Sequence, residues 1–156
     1  MQLDKTPPEM MMRWLRRILD EKGVDYEIID PESIRMTWKL YSKIQTIENT
    51  IVVHDDRFHS FSYADITAED KIPEVGEFLM RANWCLDPGH FHLDYDTGEI
   101  CYEFFSPYRL HETDEDFVML WENHIINFNW FGDALLKVIR GCATPKAAHD
   151  ECMHDE

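Results

Sequence analysis

The chain has 156 residues, and its content of 44% hydrophobic and 13% aromatic residues is enough for the core of one domain without disulfides or a structural metal. Its 31 acidic residues outnumber 15 basic ones, so the formal net charge of −16 argues against binding to nucleic acid or to an anionic membrane. No apolar run is long enough to span a bilayer, the N-terminus lacks the apolar core of a signal peptide, and no cysteines form a Cys-x-x-Cys pair. These features predict a cytoplasmic protein.

The predicted elements begin with a short amphipathic helix. Thr6, with Glu9 three residues on, has the pattern of a capping box, and Gly23 supplies a stop. Apolar residues recur at helical spacing between them: Met11, Trp14, Leu15 and Ile18. Residues 24–29 are a candidate first strand, whereas residues 34–40 are ambiguous.

Two hairpins and a second helix follow. Residues 44–54 are rich in Ile, Val and Thr and pair with residues 58–63 across a turn. Residues 70–85 form the second helix, in which Asn83 can bond backbone groups and fix the helix exit. In the second hairpin, apolar and polar residues alternate on both sides of a turn at Gly98, which predicts a sheet covered on one face. The apolar set is Phe91, Leu93, Tyr95, Ile100, Tyr102 and Phe104.

The last predicted helix, residues 113–140, carries two adjoining apolar stripes. A helix on a single core needs one stripe about 100° wide, so we expect the second stripe to be covered by another subunit or a partner. The alternative is a helix sunk in a deep core of its own chain. The residues predicted for a dimer or partner interface are Trp121, Ile125, Phe128, Phe131 and Leu135.

His124 interrupts one of these stripes. A core histidine with hydrogen-bonded ring nitrogens is the expected role, and a pH-responsive interface residue is the alternative. After Gly141 the helical periodicity is lost. Residues 1–141 are therefore predicted to form one α+β domain, and residues 142–156 a mobile tail.

Candidate metal ligands occur in two places. His90, His92 and Asp94 alternate along a predicted strand and would project from one face of it, as metal ligands must. That face is the polar side of the hairpin, so we favour a solvated strand surface, with a metal-binding enzyme or sensor as the alternative. A second set in the tail matches no recognised zinc spacing: Cys142, His149, Cys152 and His154.

No motif for catalysis stands out. The chain has no Gly-x-Ser-x-Gly elbow, no glycine-rich phosphate loop and no cysteine in an identifiable electropositive setting. We therefore expect neither an enzyme nor a bound cofactor.

Several stretches between Phe78 and Gly141 resemble a known family. They are Phe78-Leu79-Met80-Arg81-Ala82-Asn83, Gly89-His90-Phe91-His92-Leu93-Asp94, Asp96-Thr97-Gly98-Glu99-Ile100, Pro107, and the long helix that ends in Gly141. In these the chain is similar to the YbjN-like family of bacterial proteins. The resemblance implies an α+β fold like that of type III secretion chaperones, an antiparallel sheet flanked by helices in the order α-β-β-β-α-β-β-α.

The resemblance also implies a class of function. Members of the YbjN-like family are described as sensory transduction regulators, and secretion chaperones of this fold are small acidic dimers that bind an extended segment of a client. Fold likeness does not establish function, and the family pattern supplies no catalytic residues. The sequence therefore predicts a homodimeric, non-enzymatic protein-binding module, a regulator or a chaperone-like holder of an unidentified partner protein.

Overall fold

The computed structural model describes residues 6–154; the N-terminal residues on which the signal-peptide prediction falls, and residues 155–156, lie outside it. Within the described range the chain forms an antiparallel six-stranded sheet with helices on one face. In chain order the elements are α1 (Pro8–Glu21), β1 (Glu27–Asp30), β2 (Ser33–Lys39), β3 (Thr46–Val53), β4 (Arg57–Thr67), α2 (Ile72–Asn83), β5 (His90–Leu93), β6 (Glu99–Pro107), α3 (Asp114–Ile139) and α4 (Pro145–His154). None of these helices is long and apolar enough to cross a membrane.

The strands lie side by side in the order β1-β2-β3-β4-β6-β5. The predicted α+β order is confirmed, with two additions. The ambiguous residues 34–40 supply β2, whose Ile34 and Met36 point into the core, and α4 follows α3. Both predicted hairpins are present, as β3–β4 and β5–β6.

The predicted cap of α1 is wrong. Pro7, not Thr6, is the N-cap residue, and no side chain bonds the first turn. The cause is the pair of prolines, because a residue that precedes proline avoids the helical region and Pro8 suits the first helical position. Pro7 accordingly has an extended backbone, with ψ at 141°.

The loop between β2 and β3 packs directly on α3. The Asn129 Oδ1 atom accepts the backbone N–H groups of residues 41 and 42, at 2.8 and 3.1 Å, and Asp133 Oδ1 accepts that of Lys43 at 2.7 Å. Gly132 makes this approach possible, since a Cβ atom there would lie 2.6 Å from the Ser42 hydroxyl. The polar arc of α3 therefore binds this loop.

Residues 145–154, within the tail predicted to be mobile, form α4 although helical periodicity is lost after Gly141. The helix buries Ala148 and Cys152, one turn apart, and Trp130 Nε1 donates to the Cys152 carbonyl at 3.2 Å. Lys137 on α3 pairs with Glu151 at 2.8 Å. So short a helix, with only small residues buried, gives a weak periodic signal, and packing against α2 and α3 stabilises it.

One edge of the sheet is closed by a side chain. At β5 the Asn83 amide donates to the Phe91 carbonyl at 3.0 Å and accepts the Phe91 N–H at 2.7 Å. The expected structural role of Asn83 is confirmed, although it bonds the neighbouring strand and not its own helix exit. Because both backbone groups of Phe91 are occupied, another strand cannot pair there.

Replacing Asn83 tests this closure. Asn83→Ala should lower the free energy of unfolding by about 1–3 kcal/mol, because it leaves the Phe91 backbone groups unpaired at a packed edge. Urea denaturation measures the loss. Asn123→Ala is the matched control, since Asn123 bonds only the Met119 carbonyl of its own helix. Equal losses in the two variants would contradict the proposed role.

Candidate functional site: the open face and open edge of the sheet

A buried polar contact joins α3 to the covered face of β4. His124 on α3 lies between two serines of β4, with its Nε2 atom 2.7 Å from Ser60 Oγ and its Nδ1 atom 2.6 Å from Ser62 Oγ. Ser60 also donates to the Leu120 carbonyl and accepts an N–H of Asn49 at 3.1 Å. We call these four side chains, Asn49, Ser60, Ser62 and His124, the serine–histidine cluster; all are fully buried.

The hydrogen bonds define the protonation of His124. Since the Ser60 hydroxyl donates to a carbonyl, it can only accept from Nε2–H, and Ser62 donates to the unprotonated Nδ1. Burial lowers the pKa of His124 to about 3, and the nearby His59 adds to this effect. His124 is therefore a neutral, hydrogen-bonded core histidine, as expected for the commoner of its two predicted roles.

The direction of these serines decides what the other face of β4 carries. Because side chains alternate along a strand, turning Phe58, Ser60 and Ser62 inward turns His59, Phe61 and Tyr63 outward. We call this uncovered side of β2–β6 the open face. Its aromatic part is His59, Phe61 and Tyr63 on β4 with Phe105 on β6.

The aromatic side chains of the open face contact one another. The His59 ring stacks on Phe105 with centroids 4.2 Å apart and tilts against Phe61 at 5.0 Å. The Arg57 guanidinium lies 4.8 Å from the centroid of Phe105, within reach of a cation–π interaction. These rings form a continuous patch, and 50% of the Phe105 surface is exposed to solvent.

Glu103 connects two histidines across three strands of this face. Its carboxylate lies 2.8 Å from His59 Nε2 on β4 and 3.0 Å from His92 Nε2 on β5. The nearby Cys101 thiol is no candidate nucleophile, because burial, followed by the charge of Glu103, raises its pKa to about 12. The contacts of Glu103 with His59 and His92 hold these side chains in place on the open face.

The predicted metal ligands do not converge. His90 and His92 share the open face, but Asp94 lies beyond the end of β5 and accepts the N–H groups of residues 96 and 97, at 2.8 and 3.2 Å. Among residues 6–154 no three His, Cys, Asp or Glu side chains are placed to hold a metal ion. His90 and His92 are both exposed on this strand.

The predicted interface residues of α3 lie mostly inside the chain. Trp121, Phe128, Phe131 and Leu135 are buried, and Ile125 is half-buried. Trp38 of β2 stacks on Trp121 at 6.3 Å, and the β2–β3 loop and α4 cover the remainder. The chain itself thus supplies the cover that stripe width assigned to a partner, which corrects that expectation. Ile126, 53% exposed, is the most exposed apolar residue of α3.

The second candidate surface is the edge formed by β1. Within the described residues β1 pairs with β2 alone, and all four of its residues are exposed. Ile28 and Ile29 expose 49% and 44% of their surfaces. The sequence analysis proposed a sheet edge in general terms but missed these two residues, although adjacent isoleucines between acidic residues are the available signal.

Together these features define the fold as an antiparallel α+β sheet, open on one face and covered by helices on the other. The chain matches no known family profile and no curated protein. Among solved structures it is similar to YbjN of E. coli, described as a candidate transcription regulator, with 13% identity over 76% of this chain and 88% of that one and a TM-score of 0.56. It is also similar to the ExsC–ExsE complex, with 16% identity over 84% and 97% and a TM-score of 0.52. These likenesses confirm the YbjN-like, secretion-chaperone-like fold.

The lowered pKa of His124 gives a prediction with a definite sign. An unfolded histidine titrates near 6.5, so between about pH 6.5 and 3 the unfolded chain binds the additional proton. The stabilisation is complete above pH 6.5 and is lost as the pH falls, at about 1.4 kcal/mol per pH unit. In His124→Leu the slope of unfolding free energy should decrease by about half that amount at pH 6.5 and by nearly all of it at pH 5.

Urea denaturation at successive pH values measures the slope. Asn127→Leu is the control, because it also replaces a buried polar residue of α3 but removes no titrating group in this range. It should keep the wild-type slope whatever its stability. An unchanged slope in His124→Leu would show that the His124 ring is not held neutral in the folded chain.

Proposed function

We propose that this chain is a non-enzymatic, cytoplasmic protein-binding module that acts as a homodimer and holds an extended segment of a partner protein at the β1 edge. Its role would be that of a regulator or of a chaperone-like holder. The observation that carries the proposal is the contrast between the two sheet edges: Asn83 closes β5, whereas β1 is open.

The β1 edge has both parts of a strand-addition site. An added strand pairs with unpaired backbone groups, which supply affinity, and its side chains meet those of the edge, which supply selectivity. Ile28 and Ile29 offer apolar contacts beside that backbone. Because β1 has four residues, it can pair with a short partner segment.

Charge indicates the chemistry of the segment. Four exposed acidic residues lie in or beside β1: Asp25, Glu27, Asp30 and Glu32. Arg35 neutralises Glu27 at 3.0 Å, and the other three have no such cationic partner among the described ion pairs. Two copies of this edge would repel each other, so the fitting occupant is a different segment, with apolar residues flanked by Lys or Arg.

The structural neighbours are consistent with this class of function. One is described as a candidate transcription regulator and the other is a complex of two proteins. Fold likeness at this identity supports binding to a protein only by analogy, so the edge geometry is the stronger support.

A displayed library of random 15-residue peptides tests the edge directly. We expect enrichment of peptides that combine apolar residues with Lys or Arg. For an enriched peptide, Ile28→Glu or Ile29→Glu should raise the dissociation constant about tenfold or more, since each removes an apolar contact and places a charged side chain, which must lose water, against the apolar residues of the peptide. Fluorescence anisotropy measures the change.

Met80→Glu is the matched control for these variants. Met80 is 67% exposed on α2, which packs against β5 at the opposite edge of the sheet. It adds the same charge and should change the dissociation constant less than twofold. If no peptide is enriched, or if Met80→Glu weakens binding as much as Ile28→Glu, the β1 edge is not the binding site.

A further inference from the structure

We infer that the groove between α2 and α3 is a binding site for an acidic amphipathic helix of a partner protein, and that α4 of the chain itself occupies this groove until such a helix replaces it. We call it the α2–α3 groove. The inference goes beyond the β1 edge, since it concerns a separate surface, formed by helices, and a helical partner segment in place of an extended one.

The α2–α3 groove contacts α4 from both sides. The His149 ring of α4 lies parallel to Phe131 of α3, with centroids 6.3 Å apart, and edge-on to Phe78 of α2 at 6.5 Å. The thiol of Cys85, just after α2, lies 3.7 Å from the sulfur of Met153. The groove therefore receives a helix through aromatic and sulfur contacts, as helix-binding grooves of other proteins do.

The fit of α4 to this groove is incomplete. A helix of 10 residues is marginal by itself, and its two fully buried residues, Ala148 and Cys152, are small. A cavity of about 440 Å³ lies between α4 and α3, and one of about 410 Å³ lies between α4 and α2. The Nε2 atom of His149 is buried with no hydrogen-bond partner among residues 6–154. A longer helix with larger side chains can fill these gaps and so replace α4.

Charge identifies the replacing helix as acidic. Five basic and three acidic residues from outside α4 line the cavities around it, a balance of +2 in a chain with a net charge of −16. Local charges decide such a contact, because salt screens those beyond about 8 Å. The basic residues are Lys43, Lys71, Arg81, Lys137 and Arg140, and the acidic ones are Glu74, Glu77 and Asp133.

Most of these basic side chains are available to a partner. Glu151 of α4 pairs with Lys137 at 2.8 Å, which shows how an acidic helix engages the groove. Lys43, Lys71 and Arg140 take part in none of the ion pairs between described residues. The fitting partner is therefore a helix with small residues four positions apart, as at 148 and 152, and with more Asp or Glu than α4 carries.

A fluorescein-labelled peptide of residues 143–154, added to the full chain in reducing buffer, tests the groove. Ala148→Asp in the chain should release its own α4, because it places a charge at a fully buried position. This chain should bind the peptide at least tenfold more tightly than the wild-type chain does, since the tethered α4 of the wild type competes at a millimolar effective concentration. Fluorescence anisotropy measures both dissociation constants.

Ala147→Asp is the matched control. Ala147 is exposed on α4 next to Ala148, so the same substitution there should leave α4 docked and peptide binding as weak as in the wild type. A peptide with its own Ala148→Asp change should bind neither chain. Circular dichroism verifies folding. If Ala148→Asp unfolds the chain, Glu151→Lys, which breaks only the exposed pair with Lys137, should raise peptide affinity about threefold.

A charge exchange tests the acidic character of the helix. In the Ala148→Asp chain, Lys137→Glu should weaken peptide binding about threefold, and a peptide with Glu151→Lys should recover it. A folded Ala148→Asp chain that binds the peptide no better than the wild-type or Ala147→Asp chain would overturn the α2–α3 groove as a helix site. Failure of the exchange to change affinity would overturn the acidic partner.

The β1 edge is tested separately by the same peptide. Adding Ile28→Glu to the Ala148→Asp chain should leave its affinity for the α4 peptide unchanged, and a loss would place the helix at β1 and overturn the groove. Binding of the α4 peptide with no enriched library peptide at β1 would leave the groove standing and remove the β1 proposal.

Discussion

The contact of His124 with Ser60 and Ser62 is the interaction on which the rest of the structure depends. It places small hydroxyl side chains of β4 against α3, where a larger residue would hold the helix away from the sheet. Removing one partner from such a buried pair costs about 1–3 kcal/mol, so the register of β4 is strongly specified. The same register sends Phe61 and Tyr63 to the open face. A polar contact inside the core thereby determines an apolar surface outside it.

The two faces of the sheet, and likewise its two edges, therefore differ in whether other parts of the chain cover them. Its covered face packs against helices and its β5 edge is closed by Asn83, while its open face and β1 edge have no cover within the described residues. Exposed apolar groups of this kind promote aggregation unless charge opposes it. The excess of acidic residues supplies that opposition around the two surfaces. At the β1 edge, exposed acidic residues flank Ile28 and Ile29, so the same edge repels a second copy of itself and favours an apolar segment that carries Lys or Arg.

Local patterns in the sequence predicted most of the elements. Alternation around Gly98 gave the second hairpin, and helical spacing gave α2 and α3, because each pattern reports which side of an element is buried. The role of His124 also followed from its place in an apolar stripe. Its serine partners did not, since they lie more than 60 positions away and pair through tertiary structure.

The candidate site was harder to predict for the same reason. Stripe width shows that α3 is covered on two sides but cannot show by what. The cover comes from Trp38, the loop around Ser42, and α4, which are separated from α3 in sequence or carry little periodic signal. The resemblance to the YbjN-like family gave the fold, yet the aromatic open face depends on the register of β4, which no local pattern reveals.

The protonation state of His124 tests the central claim most directly. Nitrogen-15 NMR of the histidine rings distinguishes the neutral form protonated at Nε2 from the form protonated at Nδ1 and from the cation. We predict the neutral Nε2–H form from pH 7 down to pH 5, with Nδ1 accepting from Ser62. Protonation at Nδ1, or titration of this ring near pH 6.5, would contradict the serine–histidine cluster and with it the register that exposes the aromatic face.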